Sequence, residues 1–337
     1  MKKLLKLFVF NLAVGFFGVN SASADNGTCP IIDGVIDFSE LVVNDNGFDY
    51  NCNYTPDSMK IRLFKISLCN QLPTLDNYGT ICEQLVDFSG GKDIIITADD
   101  ITPILDGSVT LKEGVYSHAI IIIENRVASK FTQTFNKPVQ GNNGAGTTCW
   151  SNGNDAKISY EIAANAGGDY TKFSASCGTL EQSDPRWSAY TYKGLWNPRR
   201  DVNPAYFINS TPYLTILGSG KDLHLLKDFS TLATVNSGAS DRNLDDENGI
   251  TSNAKFMMGV SEFSTPQDIN SNTQKVDLGF KLVDTFFQKI TTNNNYYGNQ
   301  RCSGNHGDIN TVSTSTGSYA CLSTSYATSF DFKFSVE

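Results

Sequence analysis

Asp241-Arg242-Asn243-Leu244-Asp245-Asp246-Glu247-Asn248-Gly249 sets side-chain oxygens at alternate positions ahead of a glycine. Calcium takes about six to eight oxygen ligands, and a tight loop of alternating acids and amides supplies them. Asp241, Asn243, Asp245 and Glu247 are therefore the candidate calcium ligands, against the plainer reading of a solvated acidic loop. Asn44-Asp45-Asn46-Gly47-Phe48-Asp49 is a sparser version of the same pattern. A second group is aromatic. Trp187, Tyr190, Tyr192 and Trp196 fall within ten residues, Arg199-Arg200 follow, and Trp150 adjoins Cys149. Flat rings stack on sugars, and Trp, Tyr and Arg dominate protein interfaces. The group is thus a core cap, a partner interface or a glycan platform. A third group closes the chain, where Phe330, Phe332, Phe334 and Val336 alternate with Asp331, Lys333, Ser335 and Glu337. That is a strand with one apolar face. It is either the last strand of the fold or a strand donated to a neighbouring copy, in which main-chain hydrogen bonds give affinity and alternate side chains fill pockets.

Other catalytic signatures fail on inspection. No Gly-x-Ser-x-Gly elbow is present. Gly218-Ser219-Gly220-Lys221 has part of a phosphate-loop pattern, but Thr215 stands where a glycine belongs and Asp222 follows the lysine. His118, His224 and His306 occupy unrelated contexts; His118 reads as a packed or edge strand residue, and His306 more simply as a turn residue than as a metal ligand or base. Two carboxylates at the right separation would suffice for glycoside hydrolysis, but an acidic chain offers many such pairs. The opening of the acidic loop resembles the start of an EF-hand-type loop. It departs from that pattern at Asp246, where the turn glycine belongs, and at Ser252, where the closing glutamate belongs.

Eight cysteines bear on compartment: Cys29, Cys52, Cys69, Cys82, Cys149, Cys177, Cys302 and Cys321. No Cys-x-x-Cys occurs, which disfavours a zinc–thiolate site. Disulfides are the default in an exported chain, and sequence alone leaves the connectivity open. Sequential pairing, 29–52, 69–82, 149–177 and 302–321, is the simplest expectation. The N-terminal residues supply the export signal. Met1-Lys2-Lys3 and Lys6 are basic, Leu4 to Val19 is mostly apolar, and Ser21-Ala22-Ser23-Ala24 offers small residues for cleavage after Ala24. The apolar run is short for a membrane span. Residues 1–24 are expected as a signal peptide, with the protein secreted or at the cell surface and no membrane span after cleavage.

The formal net charge is −9, and loss of the leader's three lysines makes it more negative. Such a chain repels nucleic acid. Charged residues make up only 18% of it, so Asn, Ser, Thr and Gly must supply much of the polar surface.

Positioning these groups falls to strands. Met59 to Cys69 is apolar with a change of phase, which indicates a bulge or burial on both faces. Ile94-Ile95-Ile96 and Ile120-Ile121-Ile122-Ile123 read as buried strands. Glu124-Asn125 reads as a tight turn, with Val127 to Phe135 returning as a hairpin. In Asp222 to Val235, Leu225 or Leu226, Phe229 and Leu232 recur at helical spacing, so a short helix is expected there. The cysteines fall into two groups of four, and a Gly/Asn-rich stretch around residues 137–146 lies between them. The expected fold is all-β with little helix: two disulfide-stapled, immunoglobulin-like sandwich domains, 25–140 and 141–337. The leading functional expectation is a non-enzymatic structural or adhesive cell-surface protein, a self-assembling filament or layer subunit using strand addition. Its expected partners are copies of itself, other surface proteins and glycans. The alternative is a secreted carbohydrate-binding protein or glycan-acting hydrolase.

Overall fold

The computed structural model describes residues 28–41, 49–98, 101–104, 112–142, 144–154, 175–191, 206–207, 223–232, 235–237, 250–252, 254–273, 276–291, 320–327 and 331–336. Strands dominate them. The first are β1 (Ile31–Ile32), β2 (Val35–Ile36), β3 (Asp49–Tyr54), β4 (Ser58–Cys69), β5 (Cys82–Thr97), β6 (Thr102–Pro103), β7 (Gly114–Glu124) and β8 (Val127–Lys130). Next come β9 (Thr132–Gly141), β10 (Gly144–Ser151), β11 (Ala175–Gly178), β12 (Ser188–Tyr190), β13 (Tyr206–Phe207), β14 (Leu223–Asp228) and β15 (Thr231–Leu232). The last are β16 (Val235–Ser237), β17 (Ile250–Ser252), β18 (Phe256–Ile269), β19 (Val276–Lys281), β20 (Phe286–Thr291), β21 (Ala320–Ala327) and β22 (Asp331–Val336). One short helix, α1 (Tyr78–Ile81), sits between β4 and β5.

Two large sheets and one small one carry the architecture. Sheet I runs β1-β2-β9-β21-β20-β3, with β10 and β11 on the other edge of β9. Sheet II runs β12-β8-β4-β7-β18-β14-β13, with β5 on the far edge of β4. Sheet III is β22-β19-β6. All three contribute to one apolar cluster. Ile61, Leu63, Ile121 and Met257 enter it from sheet II, Tyr54, Phe135, Phe286 and Leu322 from sheet I, and Leu278 and Phe280 from sheet III.

The isoleucine run in β7 has a direct cause. Around β7, sheet II is buried on both faces. Ile121 and Ile123 face the main cluster, while Ile120 and Ile122 face a second one with Phe64, Cys69, Leu226 and Met258. A strand covered on both sides needs no polar phase, and β-branched residues pack well on its pleat. The phase change in β4 reflects both expected causes. Phe64 sits in the second cluster between Leu63 and Ile66 of the first, and the register with both neighbours shifts between Leu63 and Lys65.

Three expectations change. Leu223–Asp228 and Thr231–Leu232 are strands, not a helix. Leu225 and Leu226 are both apolar because they point to opposite faces, one into each cluster, and the resulting pattern imitates a helical stripe. Glu124-Asn125 does not close a hairpin. β7 and β8 follow each other along the same edge of β4, as Leu63↔Ile123 and Ser58↔Lys130 show. Asn125 makes the break between them, its N–H bonded to the Lys255 carbonyl and its amide to that of Ala254. The chain then crosses from sheet II to sheet I at buried Phe131. Finally, the proposed boundary near residue 140 falls at the end of β9, which pairs with β10. Strands from both sides of it hydrogen-bond within each large sheet, such as β21 with β9 and β18 with β7. The described strands therefore do not separate there into two sandwiches. Long-range pairing, invisible in local composition, decides this.

Candidate functional site

The disulfides stand as expected where they are described: Cys29–Cys52, Cys69–Cys82 and Cys149–Cys177. Cys69 and Cys82 face each other in the β4–β5 register, and Cys149 and Cys177 in the β10–β11 register. The last two clip neighbouring strands, and each of the three contributes about 2–4 kcal/mol. Cys321 is also disulfide-bonded, and its expected partner Cys302 lies outside the described residues. These bonds fit an oxidising compartment. Among the described residues no helix is long and apolar enough to cross a membrane.

The C-terminal strand is the first candidate. β22 pairs antiparallel with β19 of its own chain, from Val276↔Val336 to Lys281↔Asp331. Phe332, Phe334 and Val336 are half-buried and share one face, as the alternation predicts. They pack over Leu68, Tyr116, Ala119 and Ile269 of sheet II. The Phe334 ring lies 5.3 Å from that of Phe263, and Phe332 lies 6.0 Å from Phe280. Phe263 reaches this position because β18 bulges: its register with β7 jumps between Glu262 and Gln267. Asp331 is the register partner of Lys281. Among the described residues β19 is the one strand that pairs with β22. Phe330 lies outside the described residues.

The aromatic group is the second. Trp187 is half-buried and immediately precedes β12, which pairs with β8 through Ser188↔Ser129. Two ammonium groups lie over its indole, Lys60 at 5.2 Å and Lys130 at 5.1 Å from the ring centroid. Trp150 is buried instead, against Gly178. Tyr190 forms the end of β12. Tyr192 and Trp196 lie outside the described residues, so Trp187 alone represents the expected platform. Sequence reasoning missed the two lysines. The outward phase of Lys60, between inward Met59 and Ile61, was a legible signal. Their convergence on residue 187 was not, because it depends on the order β12-β8-β4.

The acidic loop with Asp241, Asn243, Asp245 and Glu247 lies outside the described residues, as do Asn44 to Phe48, Gly218 to Lys221 and His306. Among the described residues no cluster of three or more metal-ligating side chains occurs. His118 is a row member of sheet II, between Cys69 and Glu262 in register, with Nδ1 2.8 Å from Ser117 Oγ. His224 is buried beside Met258. Burial, and then the charge of Asp57, push the Tyr54 phenol well above its ordinary pKa of 10.0.

No family model, curated protein or solved structure matches this chain. Fold and geometry together define a β-rich, disulfide-bonded protein.

Proposed function

We propose that the protein is an exported, non-enzymatic structural or adhesive component of the cell surface, and that its copies join by exchanging β22. Export rests on the leader-like residues 1–24 and on disulfides that fit an oxidising compartment. The observation that carries strand exchange is the position of β22. It is the outer strand of a three-strand sheet, and it inserts alternate apolar side chains into a ready-made cluster. The same contacts form when β22 comes from a neighbour, so exchange needs no new chemistry. The chain's own strand competes at an effective concentration of roughly millimolar, given a short connection. Exchange therefore belongs to crowded subunits rather than dilute ones. Calcium in the Asp241–Glu247 loop is part of the same proposal, supported by its oxygen spacing. The large sheets sharing one core support a sandwich of immunoglobulin-like kind.

A cross-strand staple tests it. Asp277 and Ser335 are register partners, a geometry that a disulfide can bridge. The oxidised double variant Asp277→Cys, Ser335→Cys is expected to stay monomeric on concentration. Each single variant, with its thiol blocked, is expected to assemble like the wild type by light scattering and negative-stain imaging. A stapled protein that assembles normally, or a wild type that stays monomeric at about millimolar concentration, refutes strand exchange.

A further inference from the structure

We infer that the outer face of the β12–β8–β4 corner binds an anionic saccharide, with Lys60 and Lys130 holding its carboxylate or sulfate beside Trp187. This goes beyond the assembly reading and does not depend on it. The alternation of β4 sends Met59, Ile61 and Leu63 into the core, leaving Lys60 and Arg62 on the outside. Pairing of β8 with both β4 and β12 then brings Lys130 and Trp187 to the same corner. Both ammonium groups lie about 5 Å from one ring centroid, so they are within about 10 Å of each other. Where that separation falls below the screening length of about 8 Å at physiological ionic strength, their mutual repulsion is felt.

The surrounding charges single this pair out. Arg62 is neutralised by Asp93 at 3.0 Å, and Arg186 by Asp184 at 2.6 Å. Lys60 and Lys130 have no ion-pair partner among the described residues. In a chain of net charge −9, a cationic pair with no ion-pair partner among the described residues is a local exception. An anion placed between the two ammonium groups removes their repulsion and gains charge-assisted hydrogen bonds from both. Apolar surface adjoins them. Ile95, which faces Lys60 in register, is 52% exposed, and the indole is half-buried. A ligand must offer an anionic group and a C–H face together. An acidic sugar does so, whether its charge is a uronate carboxylate or a sulfate ester.

Titration calorimetry and tryptophan fluorescence on the full protein supply the test. The probes are polygalacturonate oligomers for carboxylate, chondroitin sulfate oligomers for sulfate, and neutral dextran oligomers. At least one anionic probe is expected to bind, dextran is not, and about 0.5 M salt should weaken binding strongly. Lys60→Ala with Lys130→Ala should cost roughly tenfold or more in affinity, since hydrogen bonds to charged groups are lost. Lys60→Arg with Lys130→Arg should retain binding, and Lys227→Ala, an exposed lysine on β14, should change nothing. Circular dichroism checks that each variant is folded. The inference is overturned if neither anionic probe binds, if dextran binds equally well, or if the double alanine variant binds like the wild type.

Discussion

Phe334→Ala tests whether β22 is seated in the single chain. Phe334 lies on the inward face of β22, half-buried over Leu68, Tyr116, Ala119 and Ile269, with its ring 5.3 Å from Phe263. Removing a fully buried phenylalanine side chain costs about 3–5 kcal/mol. About half of that applies to a half-buried ring, and the aromatic pair adds about 0.5–1 kcal/mol. The expected loss is therefore about 2–3.5 kcal/mol. With a urea dependence of about 2 kcal/mol per molar, the unfolding midpoint should fall by about 1–1.7 M. Lys333→Ala, on the same strand but in the polar phase of the sequence alternation, should change stability by less than about 0.5 kcal/mol. Urea titration by tryptophan fluorescence at neutral pH reads both. If Phe334→Ala leaves the midpoint within about 0.2 M of the wild type, or if the two variants lose stability equally, β22 does not seat as described and the exchange argument falls with it.

Other variants probe the core and the acidic loop. Tyr54 is 2% exposed, and its hydroxyl meets no hydrogen-bond partner among the described residues, so Tyr54→Phe should stabilise by about 1 kcal/mol at pH 7. Its phenol pKa is raised by folding, so the neutral form's contribution is complete below 10.0 and is lost as pH rises through the folded value. Thermal melts of Tyr54→Phe should accordingly show a weaker alkaline decline than the wild type, and a variant less stable at pH 7 contradicts the burial argument. A methyl group on Gly146 would lie 2.1 Å from the Gly178 carbonyl oxygen, so Gly146→Ala must push β10 and β11 apart. It should cost at least about 2 kcal/mol, whereas Gly79→Ala, with nothing within 4 Å, should be neutral or slightly stabilising. Calcium added to chelator-stripped protein should raise the melting temperature, and Asp241→Asn with Asp245→Asn should remove that increment; an unchanged melt in both proteins excludes the calcium loop.

Much of this protein follows from short stretches of its sequence. The strands β4, β7, β19 and β22 are legible because a pleated strand repeats every two residues, and that period survives in the order of side chains. Phe332, Phe334 and Val336 share a face for this reason alone. Sequential disulfides are legible for a related reason: Cys69–Cys82 and Cys149–Cys177 join antiparallel neighbours close in the chain. Local order could not report which face of a strand is covered. Leu225-Leu226 and Phe229 imitate a helix because sheet II is buried on both sides there, a property of what packs on it. Nor could it report partners far apart in the chain. β8 aligns on β4 behind β7, β9 pairs with β21 from the other end of the chain, and Trp187 meets Lys60 and Lys130 only because β8 lies between β12 and β4. Sequence fixes periodicity, cross-links and charge, since these are local. Tertiary structure alone decides which surfaces meet, because that choice minimises exposed apolar area and unpaired backbone over the whole chain at once.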